Sequence, residues 1–332
     1  MAQKIGIIGM GIWGTALSLV AARAGHEVLC WAREEEVVQS VNGQHVNRLY
    51  LPSVPLPSSV QAISHIEGVM GFADIILLVV PAQHTRAILE KMRPFVRPST
   101  CIVLCAKGIE TGTGNLLGEI VEQVMPGTQY AVLSGPGFAY EVALNKPTAV
   151  TIACKEMSKA QELVDLLGTQ HFRPYSSDDI ISPQIGGSVK NVLAIASGCV
   201  EGAGLGDNAR AALITRGLNE MIRLSKALGG HARTMMGMCG LGDLVLTANC
   251  TQSRNFAFGF EVGQKGSAKD LLQSNTKTVE GIYTAPAVLK RAKEVGIDMP
   301  ICETVNAVLF EGMSLQAAMD DLLNRPFKDE GF

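Results

Sequence analysis

Two lysines, an aspartate and an arginine-centred triplet carry the chemistry open to this chain. In Gly186-Gly187-Ser188-Val189-Lys190-Asn191 the lysine is expected at or near the N-terminal end of an apolar helix. Partial desolvation and the positive end of the helix dipole would both lower its pKa there. A lysine tuned in this way can pass a proton at neutral pH. Gly240-Leu241-Gly242-Asp243-Leu244 puts a carboxylate in a glycine-flanked turn, where it can hold a lysine ammonium, and Thr247 follows. Ser253-Arg254-Asn255 offers a guanidinium fork that fits a phosphate bidentately, with an amide and a hydroxyl for a small polar ligand. Taken singly, each also reads as a helix cap, a surface group or a lysine snorkelling from a helix end.

The first residues supply a cofactor site. A short apolar strand (Ile5, Ile7, Ile8) runs into Gly9-x-Gly11-x-x-Gly14 and then into a helix-like segment. Gly9 makes the tight turn, Gly11 lets a pyrophosphate approach the backbone, and Gly14 lets helix and strand pack closely. The helix N-terminus offers free N–H groups to the phosphates. At the end of the second strand an acidic residue would bond the ribose of NAD, whereas arginine accommodates a 2′-phosphate. Arg33 stands there with Glu34 next, which admits NADP as well as NAD. A solvated charge opening the next helix is the other reading. Lys107 lies just past the apolar strand Cys101–Leu104, at the carboxyl edge where ligands of open parallel sheets sit. Ser134-Gly135-Pro136-Gly137 follows another strand and exposes N–H groups that suit a phosphate or a nicotinamide. It reads equally as a plain strand-to-helix turn.

These residues need elements to position them. Candidate strands are 4–8, 27–31, 74–80, 101–104, 131–133 and 148–153, and helical patterns fall at 15–24, 35–43, 84–92 and 115–124. Alternation of this kind predicts a parallel sheet with helices on its faces. Continuous apolar runs such as Ile75-Ile76-Leu77-Leu78-Val79-Val80 fit strands buried on both faces. Residues 48–64, with three prolines, read as an irregular excursion. From about Ser182 the apolar spacing turns helical, at 189–200, 209–228, 234–246, 285–295 and 301–309. Residues 202–206 and 250–266 read as loops, and 325–332 as a loosely held polar tail. The fold class is therefore α/β: an N-terminal Rossmann-type, doubly wound parallel sheet (residues 1–185), then an all-helical C-terminal domain (186–332).

Bulk properties narrow the function. The 332 residues are 47% hydrophobic and 18% charged, enough for a large core in two domains. A net charge of −3 gives no electrostatic reason to expect nucleic acid or an anionic membrane as partner. No apolar stretch reaches membrane-spanning length. The eight cysteines form no Cys-x-x-Cys pair and mostly sit in apolar runs. They read as buried free thiols in a reducing cytoplasm, and the chain opens directly on a strand rather than a secretory leader. Six scattered histidines lack metal-ligand spacing, so no metal is expected.

The segments together resemble one family, the soluble NAD(P)-dependent glycerol-3-phosphate dehydrogenases of the bacterial type. The resemblance rests on Gly9-x-Gly11-x-Trp13-Gly14-Thr15-Ala16, Ala106-Lys107-Gly108, Ser134-Gly135-Pro136 and Lys190-Asn191 with the Ala-Ile-Ala-Ser-Gly that follows. Gly240-Leu241-Gly242-Asp243-Leu244, Ser253-Arg254-Asn255 and Val279-Glu280-Gly281 complete it. It implies interconversion of dihydroxyacetone phosphate and sn-glycerol 3-phosphate, a supply of the latter for phospholipid synthesis, and a homodimer. It implies Lys190 as proton donor and acceptor, Lys107 as a charge that stabilises the reacting oxygen, and Asp243 as the group orienting the lysine. Substrate contacts would come from Lys107, Gly135, Gly137, Lys190, Asn191, Asp243, Thr247, Ser253, Arg254 and Asn255. Cofactor contacts would come from the turn residues Gly9, Gly11, Ile12, Trp13 and Gly14, and from Arg33, Lys107, Ala139, Arg254, Val279 and Glu280. Two positions depart from the family pattern: Ile12 replaces a small polar residue, and Gly137 replaces a Ser or Thr. Each departure removes a hydroxyl whose hydrogen bond backbone or water must replace. The alternatives are a beta-hydroxyacid dehydrogenase, which shares the layout and the Lys-Asn pair, and a non-catalytic dinucleotide sensor.

Overall fold

The computed structural model describes residues 2–274 and 278–324; the expected loose tail at 325–332 lies outside them. Strands are β1 (Lys4–Ile8), β2 (Glu27–Trp31), β3 (Val46–Asn47), β4 (Leu51–Pro55), β5 (Val60–Ile63), β6 (Ile75–Leu78), β7 (Cys101–Leu104), β8 (Gln129–Ser134), β9 (Thr148–Cys154) and β10 (Phe172–Ser177). Helices α1 (Ile12–Arg23), α2 (Glu35–Gln44), α3 (Ile66–Phe72), α4 (Thr85–Met92), α5 (Leu117–Val124), α6 (Ala139–Ala143) and α7 (Met157–Leu167) are interleaved with them. Then come only helices: α8 (Ser182–Gly202), α9 (Asp207–Ala227), α10 (Ala232–Met235), α11 (Asp243–Ala248), α12 (Arg254–Lys265), α13 (Lys269–Ser274), α14 (Glu280–Glu294), α15 (Pro300–Phe310) and α16 (Leu315–Leu323).

The chain divides into two units. One runs through Lys107 and takes up again at Leu117–Ile180; the other is Gly108–Leu116 with the chain from Ile181 onward. The boundary expected at 185/186 falls inside α8, whose first turn begins at Ser182 with Pro183. Pro is tolerated in a first turn because those N–H groups have no intrahelical acceptor.

In the first unit an eight-stranded sheet has the order β10-β9-β8-β7-β6-β1-β2-β5. Neighbours are parallel, as expected of a doubly wound sheet, except β8 and β9, which run antiparallel. The order reverses at β1, flanked by β6 and β2, and that reversal opens the crevice at the strands' carboxyl ends where ligands bind. Strands β1, β6 and β7 are buried on both faces, as their apolar runs require. Residues 48–64 are not wholly irregular. They supply β4, paired with β3, and β5, which closes the sheet edge beside β2. Strand β10 was not legible: Phe-Arg-Pro-Tyr-Ser-Ser is polar and carries Pro174, which an edge strand tolerates.

The helical unit centres on α8, buried from Ser182 to Cys199. The stretch 234–246, expected as one helix, is broken into α10, a π-helical turn at Met238–Gly242, and α11. The stretch 250–266, expected as a loop, is mostly α12. Its glycines are there for packing. A Cβ on Gly259 would lie 2.0 Å from the Ile195 carbonyl oxygen, and one on Gly198 would lie 2.1 Å from that of Phe256. The backbones of α8 and α12 therefore touch, and only glycine permits it.

Candidate active site

The glycine turn has the shape its spacing predicts. Gly9 has φ +111°, and a Cβ there would press on the Val79 backbone beyond β6. A Cβ on Gly14 would sit 1.8 Å from the Gly9 carbonyl oxygen. A Cβ on Gly11, by contrast, would meet nothing within 4 Å. That open face is where a pyrophosphate can reach the backbone. Gly11 also caps α1 with no side-chain hydrogen bond, and no acidic residue occupies the first turn. The helix end thus keeps its positive character for a phosphate. Ile12 is half-exposed, and the Trp13 indole nitrogen is buried with no acceptor among the described residues. An orphaned donor beside an open glycine face fits a dinucleotide.

Along the same carboxyl edge, Lys107 Nζ donates to the Gly135 carbonyl at 2.8 Å, joining two turns that the sequence placed separately. A Cβ on Gly137 would lie 3.8 Å from the Trp13 ring, so that turn adjoins the glycine turn. Ala139 opens α6. The Ser134 hydroxyl is buried without a partner among the described residues. Arg33 is exposed and gives Nε and Nη2 to one Glu34 oxygen, at 3.1 and 2.6 Å. Partial burial pushes the Glu34 carboxyl up. The Arg33 hydrogen bond and charge, with the Tyr50 hydroxyl, outweigh that and leave it below its usual range. Asn47 carried no recognisable signal in the sequence. It is fully buried and donates to the Met10 carbonyl and the Thr15 hydroxyl, both at 2.8 Å, bracing the glycine turn.

In the helical unit, Lys190 Nζ donates to Asp243 Oδ1 at 2.5 Å and to Thr247 Oγ1 at 2.8 Å. Thr247 in turn approaches the same carboxylate oxygen at 3.3 Å. The side chains of Lys190 and Asp243 are 8% and 1% exposed, so little water competes with this pair. The expected helix-end effect on Lys190 is corrected. The helix starts at Ser182, so Lys190 lies two turns in, beyond the reach of the N-terminal partial charge. What holds the ammonium is the start of α11, where Asp243 and Thr247 share one face at i and i+4.

A second network adjoins it on α8. Asn255 Nδ2 donates to Asn191 Oδ1 at 3.0 Å, and the Gly281 N–H donates to Asn255 Oδ1 at 2.9 Å. The Asn191 amide also reaches Glu280, which opens α14, at 3.4 Å. Val279 is buried in the helical core. Ser253 is the N-cap of α12, its hydroxyl accepting from the Phe256 N–H at 3.3 Å. That is the capping alternative for this residue, and it sets Arg254, exposed, at the first helical position.

A phosphate-ready glycine turn at the switch point of a mostly parallel sheet, with a buried lysine held by a carboxylate, equips a dinucleotide-dependent oxidoreductase. Comparison with known proteins agrees. Residues 4–160 match the N-terminal model, and 179–320 the C-terminal model, of NAD-dependent glycerol-3-phosphate dehydrogenase. The chain is 47% identical over 325 residues to glycerol-3-phosphate dehydrogenase [NAD(P)+] of Maricaulis maris, covering 98% of this chain and 97% of that one. It is 47% identical to the enzyme of the same name from Rhodospirillum rubrum, covering 99% and 94%. The crystal structure of glycerol-3-phosphate dehydrogenase from Coxiella burnetii superposes with a TM-score of 0.91 at 40% identity, covering 98% of this chain and 99% of that one. The chain belongs to the NAD-dependent glycerol-3-phosphate dehydrogenase family.

Proposed function

We propose that this chain interconverts dihydroxyacetone phosphate and sn-glycerol 3-phosphate with Lys190 as its proton donor and acceptor. Bound NADH or NADPH supplies the hydride that reduces the ketone carbon. Lys190 Nζ gives a proton to the oxygen on that carbon as negative charge develops there, and takes it back in the reverse direction. The single observation behind this role is the Lys190–Asp243–Thr247 group, in which two fixed acceptors aim one buried ammonium. Asp243 and Thr247 are positioning residues. Arg254 and Asn255 at the start of α12, with backbone N–H groups of its first turn, suit the phosphate and hydroxyl ends of the substrate. Asn191 fixes the Asn255 amide. In the first unit Gly9, Gly11, Ile12, Trp13 and Gly14 receive the pyrophosphate, Arg33 the adenosine ribose, and Lys107, Gly135, Gly137 and Ala139 line the same carboxyl edge.

The reaction supplies glycerol 3-phosphate for phospholipid synthesis, and the chain acts as a cytoplasmic homodimer. Supporting the compartment, no described helix is long and apolar enough to cross a membrane. Supporting it further, all eight cysteines are free and all but Cys250 are buried. The test follows the near-ultraviolet absorbance of reduced cofactor mixed with dihydroxyacetone phosphate. Rapid oxidation is expected. Oxidation only with an unphosphorylated 3-oxoacid would mean a hydroxyacid dehydrogenase, and binding without oxidation would mean a sensor.

A further inference from the structure

We propose that Glu34, held between Arg33 and Tyr50, sets this chain's choice between NADH and NADPH. The proposal rests on the reading of the first unit as the cofactor site. By residue type, Arg33 alone argues for a 2′-phosphate. The structure gives its guanidinium a competing partner one residue on.

Arg33 Nε and Nη2 both close on a single oxygen, Glu34 Oε1, and the Tyr50 hydroxyl donates to that same oxygen at 3.2 Å. Among the described residues no other residue's hydrogen bond reaches the second carboxylate oxygen. Glu34 is also the N-cap position of α2, so its backbone is set by the helix that follows β2. Tyr50 is fixed in turn. Its N–H donates to Asn47 Oδ1 at 3.1 Å, and the Asn47 amide braces Met10 and Thr15 in the glycine turn. A continuous series of contacts therefore fixes the carboxylate relative to the turn that takes the pyrophosphate. The segment between β3 and β4, which the sequence left as an excursion without a task, is the platform for this arrangement.

The two charges pull in opposite directions. A carboxylate accepts hydrogen bonds from the free ribose diol of NADH. It repels the 2′-phosphate of NADPH, which would also have to draw Arg33 away from Glu34. With both present, Arg33 admits NADPH and Glu34 limits the gain, so the preference is a balance.

Isothermal titration of the full-length protein with NADH and NADPH, repeated with AMP and 2′-phospho-AMP as fragments, tests this without relying on turnover. Glu34→Gln is expected to shift the NADPH-to-NADH affinity ratio about tenfold toward NADPH. Arg33→Ala is expected to shift it about tenfold the other way. Tyr50→Phe frees the carboxylate to move and should shift the ratio toward NADPH by about threefold. A ratio unmoved in Glu34→Gln and Tyr50→Phe, with Arg33→Ala still losing NADPH, would overturn the proposal and leave Arg33 as sole arbiter. If the wild-type chain bound neither dinucleotide, the cofactor reading itself would fall instead. Should Glu34→Gln not fold, Tyr50→Phe carries the same directional test.

Discussion

Two cation–carboxylate pairs of nearly equal length sit in this molecule, and solvent separates their uses. Lys190–Asp243 closes at 2.5 Å with side chains 8% and 1% exposed, whereas Arg33–Glu34 closes at 2.6 Å with side chains 76% and 28% exposed. In the buried pair, desolvation makes either charge costly without the other, so the geometry is enforced. In the exposed pair, water and salt compete for Arg33, whose long side chain keeps its freedom while Tyr50 holds Glu34. Equal distances thus describe a fixed centre in one place and an adjustable one in the other. A third carboxylate marks a further case. Glu220 on α9 is buried with no salt-bridge partner among the described residues and accepts instead from the Ile301 and Cys302 N–H groups at the start of α15, at 2.6 and 3.3 Å.

The largest effect expected is on chemistry. Lys190→Ala should lower kcat roughly a thousandfold while calorimetry still records dinucleotide binding. Turnover near wild type would remove Lys190 from the mechanism. Next, Asp243→Asn strands a buried ammonium, and urea unfolding should show a loss of about 3 kcal/mol. The same variant should lose kcat roughly a hundredfold, because the lysine is no longer aimed. Stability retained in that variant would mean that the pair is less enclosed than its exposure indicates.

Glu220 gives a smaller effect, visible as a pH slope. Burial pushes its pKa up to about 7, and the Ile301 and Cys302 N–H groups and the Arg223 charge only partly counter it. Between about 4.5 and about 7 the folded state therefore holds a proton that the unfolded chain has released, and stability falls as pH rises through that window. The expected drop is on the order of 3 kcal/mol, and Glu220→Gln should flatten it. Urea midpoints at the two ends of the window decide the matter. The smallest effect belongs to the exposed pair. Arg33→Ala should leave the thermal midpoint essentially where it was, and added salt should not unfold the protein sooner. A marked loss would show that the exposed pair carries structure as well as choice.

What was legible in the sequence follows the same division. The glycine turn could be read because each of its glycines answers a backbone demand, Lys190 because it stands in an apolar helical run, Asp243 because glycines precede it in a turn, and Asn255 because it follows a serine and an arginine. Helix α12 could not. Gly259 and Gly263 lower local helix propensity, and their reason lies 64 residues away in the backbone of α8, at Ile195 and Cys199. Strands β5 and β10 sit at the two edges of the sheet, where the alternation of buried and exposed residues lasts no more than four residues and β10 carries Pro174. Asn47 and Tyr50 were missed for a related reason. Their importance comes from partners brought together by folding, and no spacing encodes it.

The touching backbones of α8 and α12 have a consequence for substrate size. Lys190 rides on one of these helices and Arg254 with Asn255 begin the other, so on the proposed roles proton donor and phosphate anchor belong to one splint. Gly198 and Gly259 leave it no slack, because a single methyl group would wedge it open. On those roles the seam would work as a ruler: the span between the carbon that is reduced and the phosphate that is gripped would be set when the chain folds, before any ligand arrives.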